Sequence, residues 1–254
     1  MNRKDFLIGA AGIALGAPLG AVGTLELLEP QAPPERCPPH GRISYSQAGE
    51  DMIAAFFFDH LKIKEITYLD IGAWDPILIN NTYHFYEHGH HGVLVEPNVD
   101  LSNKLRSVRP RDTTLVAGIG FGARQEAVDY YVMSNPSWST FDKAEAEHVV
   151  KATGGKVTVR EVRKMPLLNV NEVMTEHFKG QAPTFVSIDA EGLHFAILKS
   201  IDFERFRPPV ICVETLVSAE SRTIPEIPAF MTTKGYIARG GSFVNTMFVD
   251  SRIL

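Results

Sequence analysis

The sequence of 254 residues contains little cysteine and no cluster of basic residues, and each absence excludes a class of protein. Two cysteines, Cys37 and Cys212, are too few for a disulfide framework or a zinc site. Cys212 lies within an apolar run, residues 210–213, where a buried, unreactive thiol is expected. Lys and Arg (25) are fewer than Asp and Glu (30) and are scattered, so we expect no nucleic-acid partner.

The chain also lacks a Gly-x-Gly-x-x-Gly turn after its first predicted strand, where it reads Asp70-Ile71-Gly72-Ala73. A pyrophosphate requires several free backbone N–H groups at such a turn, followed by a helix. The glycine-spaced run at residues 118–122 follows a strand, but another strand is predicted after it, so we interpret it as a turn. Both observations count against a dinucleotide.

Residues 1–28 form a separate segment with two main interpretations. Arg3 and Lys4 precede a stretch, residues 6–25, that has no charged residue before Glu26. Residues 2–7 resemble a twin-arginine export signal with Lys in the second position. Alternatively, residues 6–28 form an uncleaved membrane anchor, since their length is near the roughly 20 residues of a spanning helix. An amphipathic or disordered tail is the third interpretation, so localisation stays open between membrane association and export.

Residues 29–43 are rich in proline, which prevents helix formation and favours an extended linker. Residues 44–254 then form one domain, because the chain is too short for two large ones. Their pattern alternates apolar strands with helices. We predict strands at residues 66–71, 92–96, 113–119, 126–133, 156–164, 184–188, 210–213, 236–239 and 246–249. We predict helices at residues 47–61, 81–88, 101–108, 141–152, 169–178, 193–201 and 225–234.

Continuous apolar strands separated by helices are typical of a parallel sheet that is covered on both faces. The predicted fold class is therefore α/β, a Rossmann-like, doubly wound, mostly parallel sheet of about seven strands. Residues 126–133 and 156–164 alternate apolar and polar residues and are predicted to form a small antiparallel insertion. In such sheets ligands bind at the carboxyl ends of the strands.

Acidic residues stand at three of those predicted strand ends. Asp70 and Gly72 close the first strand, Glu96 the second, and Asp189 with Glu191 a later one. Glu96 follows Gly72 at about the spacing, roughly 20 residues, at which Rossmann proteins bind a ribose diol. Together these residues predict a ligand site rather than unrelated surface acids.

The sequence resembles the FkbM-type methyltransferases from about Ser44 to its end. The matching segments are residues 46–51, 68–73, 81–82, 85–86, 92–97, 109–112, 187–192 and 207–211. The resemblance implies a class I methyltransferase fold, S-adenosylmethionine as cofactor and O-methylation of a hydroxyl on a sugar or other secondary metabolite. One departure is Trp74, where the family usually has a small polar residue such as Asn. S-adenosylmethionine is made inside cells, so an exported domain would lack its donor.

With that resemblance, the strand ends acquire candidate roles. Asp70 and Gly72 are expected at the methionine end of the cofactor, and Glu96 at its ribose. The further cofactor-binding candidates are Gln47, Ala73, Asn81, Pro97 and Asp189. The candidates for a catalytic base are Asp189, Glu191 and His194. Gln47 belongs to the opening family-like segment, which could equally cap the first helix, with Ser46 as the capping residue.

No metal ligand set is expected. His84 and His88 have the spacing of one zinc peptidase motif, but Gly89 ends the helix at once. Residues 138–141 are either part of the acceptor pocket or ordinary loop packing. The competing functions are a nicotinamide-dependent Rossmann oxidoreductase and a non-catalytic, membrane-tethered binding domain. The sequence specifies neither the hydroxylated acceptor nor the oligomeric state.

Overall fold

The computed structural model describes residues 41–190, 193–217 and 222–254. The helices are α1 (Glu50–His60), α2 (Tyr83–Glu87), α3 (Val99–Val108), α4 (Lys143–Ala152), α5 (Val170–His177), α6 (His194–Ser200) and α7 (Glu226–Thr233). The first six strands are β1 (Thr67–Ile71), β2 (His91–Val95), β3 (Thr113–Leu115), β4 (Gly118–Gly120), β5 (Gln125–Met133) and β6 (Val159–Asn169). The remaining strands are β7 (Phe185–Ile188), β8 (Val210–Glu214), β9 (Leu216–Val217), β10 (Arg222–Thr223), β11 (Tyr236–Gly241) and β12 (Asn245–Asp250).

Seven strands form the main sheet in the order β11-β12-β8-β7-β1-β2-β3. The strands from β8 to β3 are all parallel to their neighbours, whereas β12 is antiparallel to both β8 and β11. The chain order reverses at β1, because β2 and β3 lie on one side of it and β7 and β8 on the other. The predicted Rossmann-like sheet of about seven strands is confirmed.

Alternate residues of a strand point to opposite faces of the sheet. Helices cover both faces, so the sheet contributes residues to two cores. On one face Leu69 and Ile71 belong to a core that includes residues of α5, α6 and α7. On the other face Tyr68 and Leu94 belong to a second core that includes residues of α1, α2 and α3. Cys212 is fully buried in this second core, and burial raises the pKa of its thiol, as expected for an unreactive cysteine.

A second sheet of three strands, in the order β4-β6-β5, forms the predicted small insertion. Residues 113–119 were expected to be one strand, but the chain leaves the main sheet after Leu115. Its next strand, β4, pairs with the end of β6, from Leu167 to Asn169. A side chain at Gly118 would meet the rings and methyl groups of Phe141 and Leu167 at 2.4–2.7 Å, so glycine permits this close packing.

Residues 1–40 lie outside the described part of the chain. The predicted signal or anchor at residues 1–28 and most of the linker fall there, so these divisions stay predictions. Among residues 41–190, 193–217 and 222–254, no helix has both the length and the hydropathy needed to cross a membrane.

Candidate active site

The carboxyl ends of three adjacent strands meet at the point where the strand order reverses. Ile71, the last residue of β1, pairs with Val95 at the end of β2 and with Ile188 at the end of β7. The next residue of each strand is therefore Gly72, Glu96 or Asp189, and the pairing places these three side by side. This is the position at which open α/β sheets bind ligands.

A cleft of about 680 Å³, counted with the solvent at its mouth, opens at these strand ends. The strand-end wall is formed by Ile71, Gly72, Trp74, Val95, Glu96, Pro97, Asp189, Ala190 and Leu193. The opposite wall comes from the insertion and the chain leading into it, and consists of Ala117, Gly118, Ile119, Tyr130, Pro136, Ser137, Ser139, Thr140 and Phe141.

Gly72 is in contact with the loop that follows β7. A Cβ at this position would lie 1.9 Å from the carbonyl oxygen of Asp189, and the φ angle of Gly72 is +82°. The N–H of Asp189 donates to the carbonyl of Ile71 at 2.9 Å, which locks the two loops together. Only glycine satisfies both the positive φ and the close approach.

Glu96 presents its carboxylate to the cleft while it is only 5% exposed. One oxygen, Oε2, accepts the N–H of Trp74 at 3.0 Å, and Oε1 accepts the N–H of Asn98 at 2.8 Å. A carboxylate can accept hydrogen bonds from ligand hydroxyls as well as from backbone N–H groups. Trp74 has a φ of +50°, a conformation that is uncommon for a bulky residue.

The loop that follows β1, here called the β1 loop, begins at Gly72. Its first three N–H groups donate hydrogen bonds to other atoms of the protein. Gly72 and Ala73 both donate to the carbonyl of Val95, at 2.9 and 3.2 Å, and Trp74 donates to Glu96. Further along, the Asp75 carboxylate accepts the N–H groups of Ile77 and Leu78. Because these N–H groups are engaged, the first turn of the loop does not form a phosphate-binding cradle.

Asp75 anchors the far end of this loop to α3. Its Oδ2 lies 2.6 Å from the ammonium of Lys104. Burial alone would raise the pKa of the Asp75 carboxyl, but Lys104 and the two backbone N–H groups outweigh burial and lower it. The loop is thus held at both ends by carboxylates, Glu96 and Asp75.

Asp70 is buried beneath the loop and does not belong to the cleft lining. Its Oδ2 accepts the hydroxyl of Thr82 at 2.8 Å and the side-chain amide of Asn80 at 3.5 Å. These contacts give Asp70 a role in holding the loop, and its expected contact with the methionine end of a cofactor stays a prediction.

Arg109 connects the same residues to Asp112 with no exposure to solvent. Its guanidinium donates to Asp112 at 2.8 Å, to the Oδ1 of Asn80 at 3.1 Å and to the hydroxyl of Thr82 at 3.0 Å. Asp112 also accepts the phenol of Tyr68 at 2.8 Å. The family-like segments 81–82 and 109–112 therefore build a buried polar network behind the first strand.

Glu50 and Asp51, in the opening family-like segment, are both fully buried. Glu50 accepts hydrogen bonds from Ser242 at 2.6 Å and Asn245 at 2.8 Å, which ties α1 to the β11–β12 turn. Burial would raise the pKa of Glu50, but the bonds from Asn245, Ser242 and the backbone N–H of Ala48 outweigh it and lower the pKa.

The remaining cofactor candidates separate into two groups. Pro97 lines the cleft next to Glu96. The cleft lining among the described residues does not include Gln47, Ala73 or Asn81. Ala73 is buried in the core against α1 and α2, and Asn81 donates to Ser187 at 3.1 Å. Gln47 is half-buried. Cofactor contact for these three stays a prediction.

The three candidate bases also occupy different places. Asp189 lines the cleft and is half-buried, whereas Glu191 lies outside the described residues. His194 begins α6, is 4% exposed, and its Nδ1 lies 3.8 Å from Oε2 of Glu214 at the end of β8. Sequence reasoning did not single out Glu214, although it is an acid at a strand end like the others.

The insertion contributes cleft residues that the sequence pattern indicated only in part. Of residues 138–141, Ser139, Thr140 and Phe141 line the cleft. Ser137 and Tyr130 also line it and were not singled out, since nothing local in the sequence indicates that the insertion returns over the strand ends.

The family comparison matches the methyltransferase FkbM domain over residues 70–238, which is more than half of the chain. The chain belongs to the FkbM methyltransferase family. The match begins at Asp70 and includes all three strand ends that form the cleft wall. The resemblance identified from the sequence segments is thereby confirmed.

This FkbM methyltransferase is distantly similar to several solved structures. A TehB-like methyltransferase from Corynebacterium glutamicum is 8% identical, with 81% of this chain and 89% of that chain covered and a TM-score of 0.41. An O-methyltransferase from Bacillus cereus, solved with SAH, is 12% identical, with 84% of each chain covered and a TM-score of 0.39. No curated protein matches the sequence. Family membership therefore rests on the domain match alone.

Proposed function

We propose that this FkbM methyltransferase transfers a methyl group from S-adenosylmethionine to a hydroxyl of a sugar or other small metabolite. The observation that carries the proposal is the Glu96 carboxylate, buried in the cleft beside Gly72 and Asp189. It supports binding of a ribose diol at a sheet position where α/β proteins bind nucleosides.

The cleft suits a nucleoside without phosphate groups better than a dinucleotide. The first N–H groups of the β1 loop donate to Val95 and Glu96, so they are not available to a pyrophosphate. The close approach of Gly72 to Asp189 leaves the loop without a side chain where the methionine end would lie. S-adenosylmethionine has a ribose diol and no phosphate, so the donor set fits it.

Methyl transfer is an in-line displacement, so the protein's main task is to align donor and acceptor. When bound, S-adenosylmethionine supplies an electrophilic methyl group on a sulfonium. In this proposal Glu96 orients the nucleoside through its ribose, and the Gly72 and Asp189 loops position the reacting end. The insertion wall, with Tyr130 and Phe141, excludes water from the cleft.

A sugar hydroxyl is a weak nucleophile at neutral pH, so a base is required near it. We propose Asp189 for this role because, of the three candidates, it is the described residue that lines the cleft. Its carboxylate would accept the hydroxyl proton as the oxygen attacks the methyl group. Glu191 and His194 remain the alternative bases, and Glu214 is in place to orient His194.

Isothermal titration calorimetry with the demethylated product, S-adenosylhomocysteine, tests the cofactor. We expect saturable binding of this nucleoside and none of NAD. Binding of NAD alone would support the oxidoreductase instead.

Transfer of a labelled methyl group to a panel of hydroxylated sugars and metabolites tests the reaction. We expect label on an acceptor oxygen, and Asp189→Asn should lower turnover by about 100-fold or more while product binding is retained. Label on nitrogen or carbon would contradict O-methylation. Nucleoside binding without any transfer across the panel would support a non-catalytic binding domain.

A further inference from the structure

Ser137 lies in the cleft wall and has a buried hydroxyl without a hydrogen-bond partner among the described residues. It lies in the short turn Pro136–Trp138 of the insertion, is 7% exposed, and lines the cleft. Among the described residues, no group donates to or accepts from its Oγ. A buried hydroxyl without a partner costs about 1–3 kcal/mol, so its retention in a binding cleft calls for an explanation.

The neighbouring hydroxyls of the same wall are used within the protein. Ser139 accepts the N–H of Met133 at 3.1 Å, and Thr140 accepts the N–H of Asp142 at 3.0 Å. These two side chains stabilise the turn. Ser137 makes no such bond with any described residue, so turning its hydroxyl towards the cleft would break no hydrogen bond with them.

The order of strands indicates which part of a nucleoside lies near this wall. Across the sheet the order is β7, β1, β2, β3, so Glu96 stands between the Asp189 side and the β3 side. The insertion departs from β3, and two of its cleft-lining residues, Gly118 and Phe141, pack against each other. If Glu96 holds the ribose and the loops of β1 and β7 hold the amino-acid end, the base extends towards the insertion.

The surroundings of Ser137 suit a flat heteroaromatic base. Ile119 and the rings of Tyr130 and Phe141, whose centroids are 4.7 Å apart, give this side of the cleft an apolar surface. A small number of polar groups in an apolar pocket fixes the orientation of a ligand. With the ribose anchored, the edge of adenine farthest from the sugar carries the 6-amino group and N1.

We propose that Ser137 recognises this edge of adenine, as a specificity-determining residue supplied by the insertion rather than by the main sheet. The inference rests on the proposed function, because it assumes an adenine nucleoside in the cleft. A serine hydroxyl can both donate and accept, so it can pair with N1 or with the 6-amino group.

The test is a thermodynamic cycle measured by calorimetry with wild type and Ser137→Ala. The ligands are S-adenosylhomocysteine and two analogues, one without the 6-amino group and one with N1 replaced by carbon. We expect Ser137→Ala to weaken binding of S-adenosylhomocysteine about three- to tenfold. In wild type, one of the two analogues should bind about three- to tenfold more weakly than S-adenosylhomocysteine. In Ser137→Ala this difference in affinity should disappear.

Thr114→Val provides the matched control. Thr114 is also buried with a hydroxyl that has no partner among the described residues, but it lies on β3 outside the cleft lining. This variant should bind all three ligands as wild type does. Thermal unfolding without ligand should show neither variant destabilised, since neither hydroxyl has a hydrogen-bond partner within residues 41–190, 193–217 and 222–254.

The outcomes separate this inference from the proposed function. Wild type that fails to bind S-adenosylhomocysteine overturns both. The role of Ser137 alone is overturned if wild type and Ser137→Ala bind S-adenosylhomocysteine equally and if each analogue is weakened to the same extent in both proteins.

Discussion

The carbonyl oxygen of Asp189 occupies the space that a side chain at Gly72 would need, 1.9 Å from the position of its Cβ. Gly72→Ala must therefore separate the loops that follow β1 and β7, and the positive φ adds backbone strain. We expect the variant to lose S-adenosylhomocysteine binding at least about tenfold and to unfold at a lower temperature.

Gly122→Ala is the control for this substitution, because its added methyl group would meet open space. It should bind and unfold as wild type does. Equal binding by Gly72→Ala would show that contact between the two loops does not define the site.

Glu96→Gln tests the proposed ribose contact. The amide keeps the shape of the carboxylate, but it loses the charge and replaces one acceptor with a donor. Loss of charge-assisted bonds to a ligand diol should weaken S-adenosylhomocysteine binding at least about tenfold in calorimetry. Glu126→Gln, on the exposed part of the insertion, is the control and should leave binding unchanged. If Glu96→Gln binds S-adenosylhomocysteine as tightly as wild type, Glu96 does not contact the ribose.

Asp112→Asn tests the buried polar network. Arg109 and Asp112 have no side-chain exposure, so the substitution leaves the guanidinium without its charge partner. We expect a loss of about 3–5 kcal/mol in the free energy of unfolding, measured in urea. Asp59→Asn, which breaks the exposed pair with Arg42, should cost less than about 1 kcal/mol. Similar costs for the two would argue against the network as a support of β1.

Glu50→Gln should change how stability depends on pH. The pKa of Glu50 is lower in the folded protein than its usual value of 4.5, so its carboxylate stabilises the fold above that pH. This contribution is lost as the pH falls through the lowered value. The stability difference between wild type and Glu50→Gln should therefore shrink as the pH falls from 7 through about 4.5 and below.

Chemical unfolding at a series of pH values measures this difference, with the exposed Glu147→Gln as control. The control should follow the wild-type profile throughout. A difference between wild type and Glu50→Gln that does not change with pH would mean that the charge of Glu50 is not what holds the β11–β12 turn.

Much of the fold could be predicted because apolar periodicity marks each element of the main sheet. The sequence could not show where the chain leaves β3, since β-branched and apolar residues continue past Leu115 to Val116 and the new pairing is with distant Leu167. The three strand ends were predicted to meet, and the registers of Ile71 with Val95 and Ile188 confirm that they do.

The side chains at those ends were harder to predict. Asp70 lies one residue before the strand end and shares the face of Tyr68, so it joins the network with Thr82 instead of the cleft lining. When both faces of a strand are buried, the sequence pattern does not show on which face a polar residue has its hydrogen-bond partners. Ser137 was missed for a different reason, since its place depends on how the insertion folds back.

The two walls of the cleft belong to separate sheets, and this has a consequence for how the family can diversify. Strands β1, β2 and β7 set the positions of Gly72, Glu96 and Asp189 within a tightly packed core, which leaves little freedom for change. The other wall is made by β4, β5 and residues 136–141, and its sheet is connected to the main sheet through residues 116–117 and through α5. Lengthening or reshaping that wall could admit differently sized acceptors while the donor-side framework stays intact.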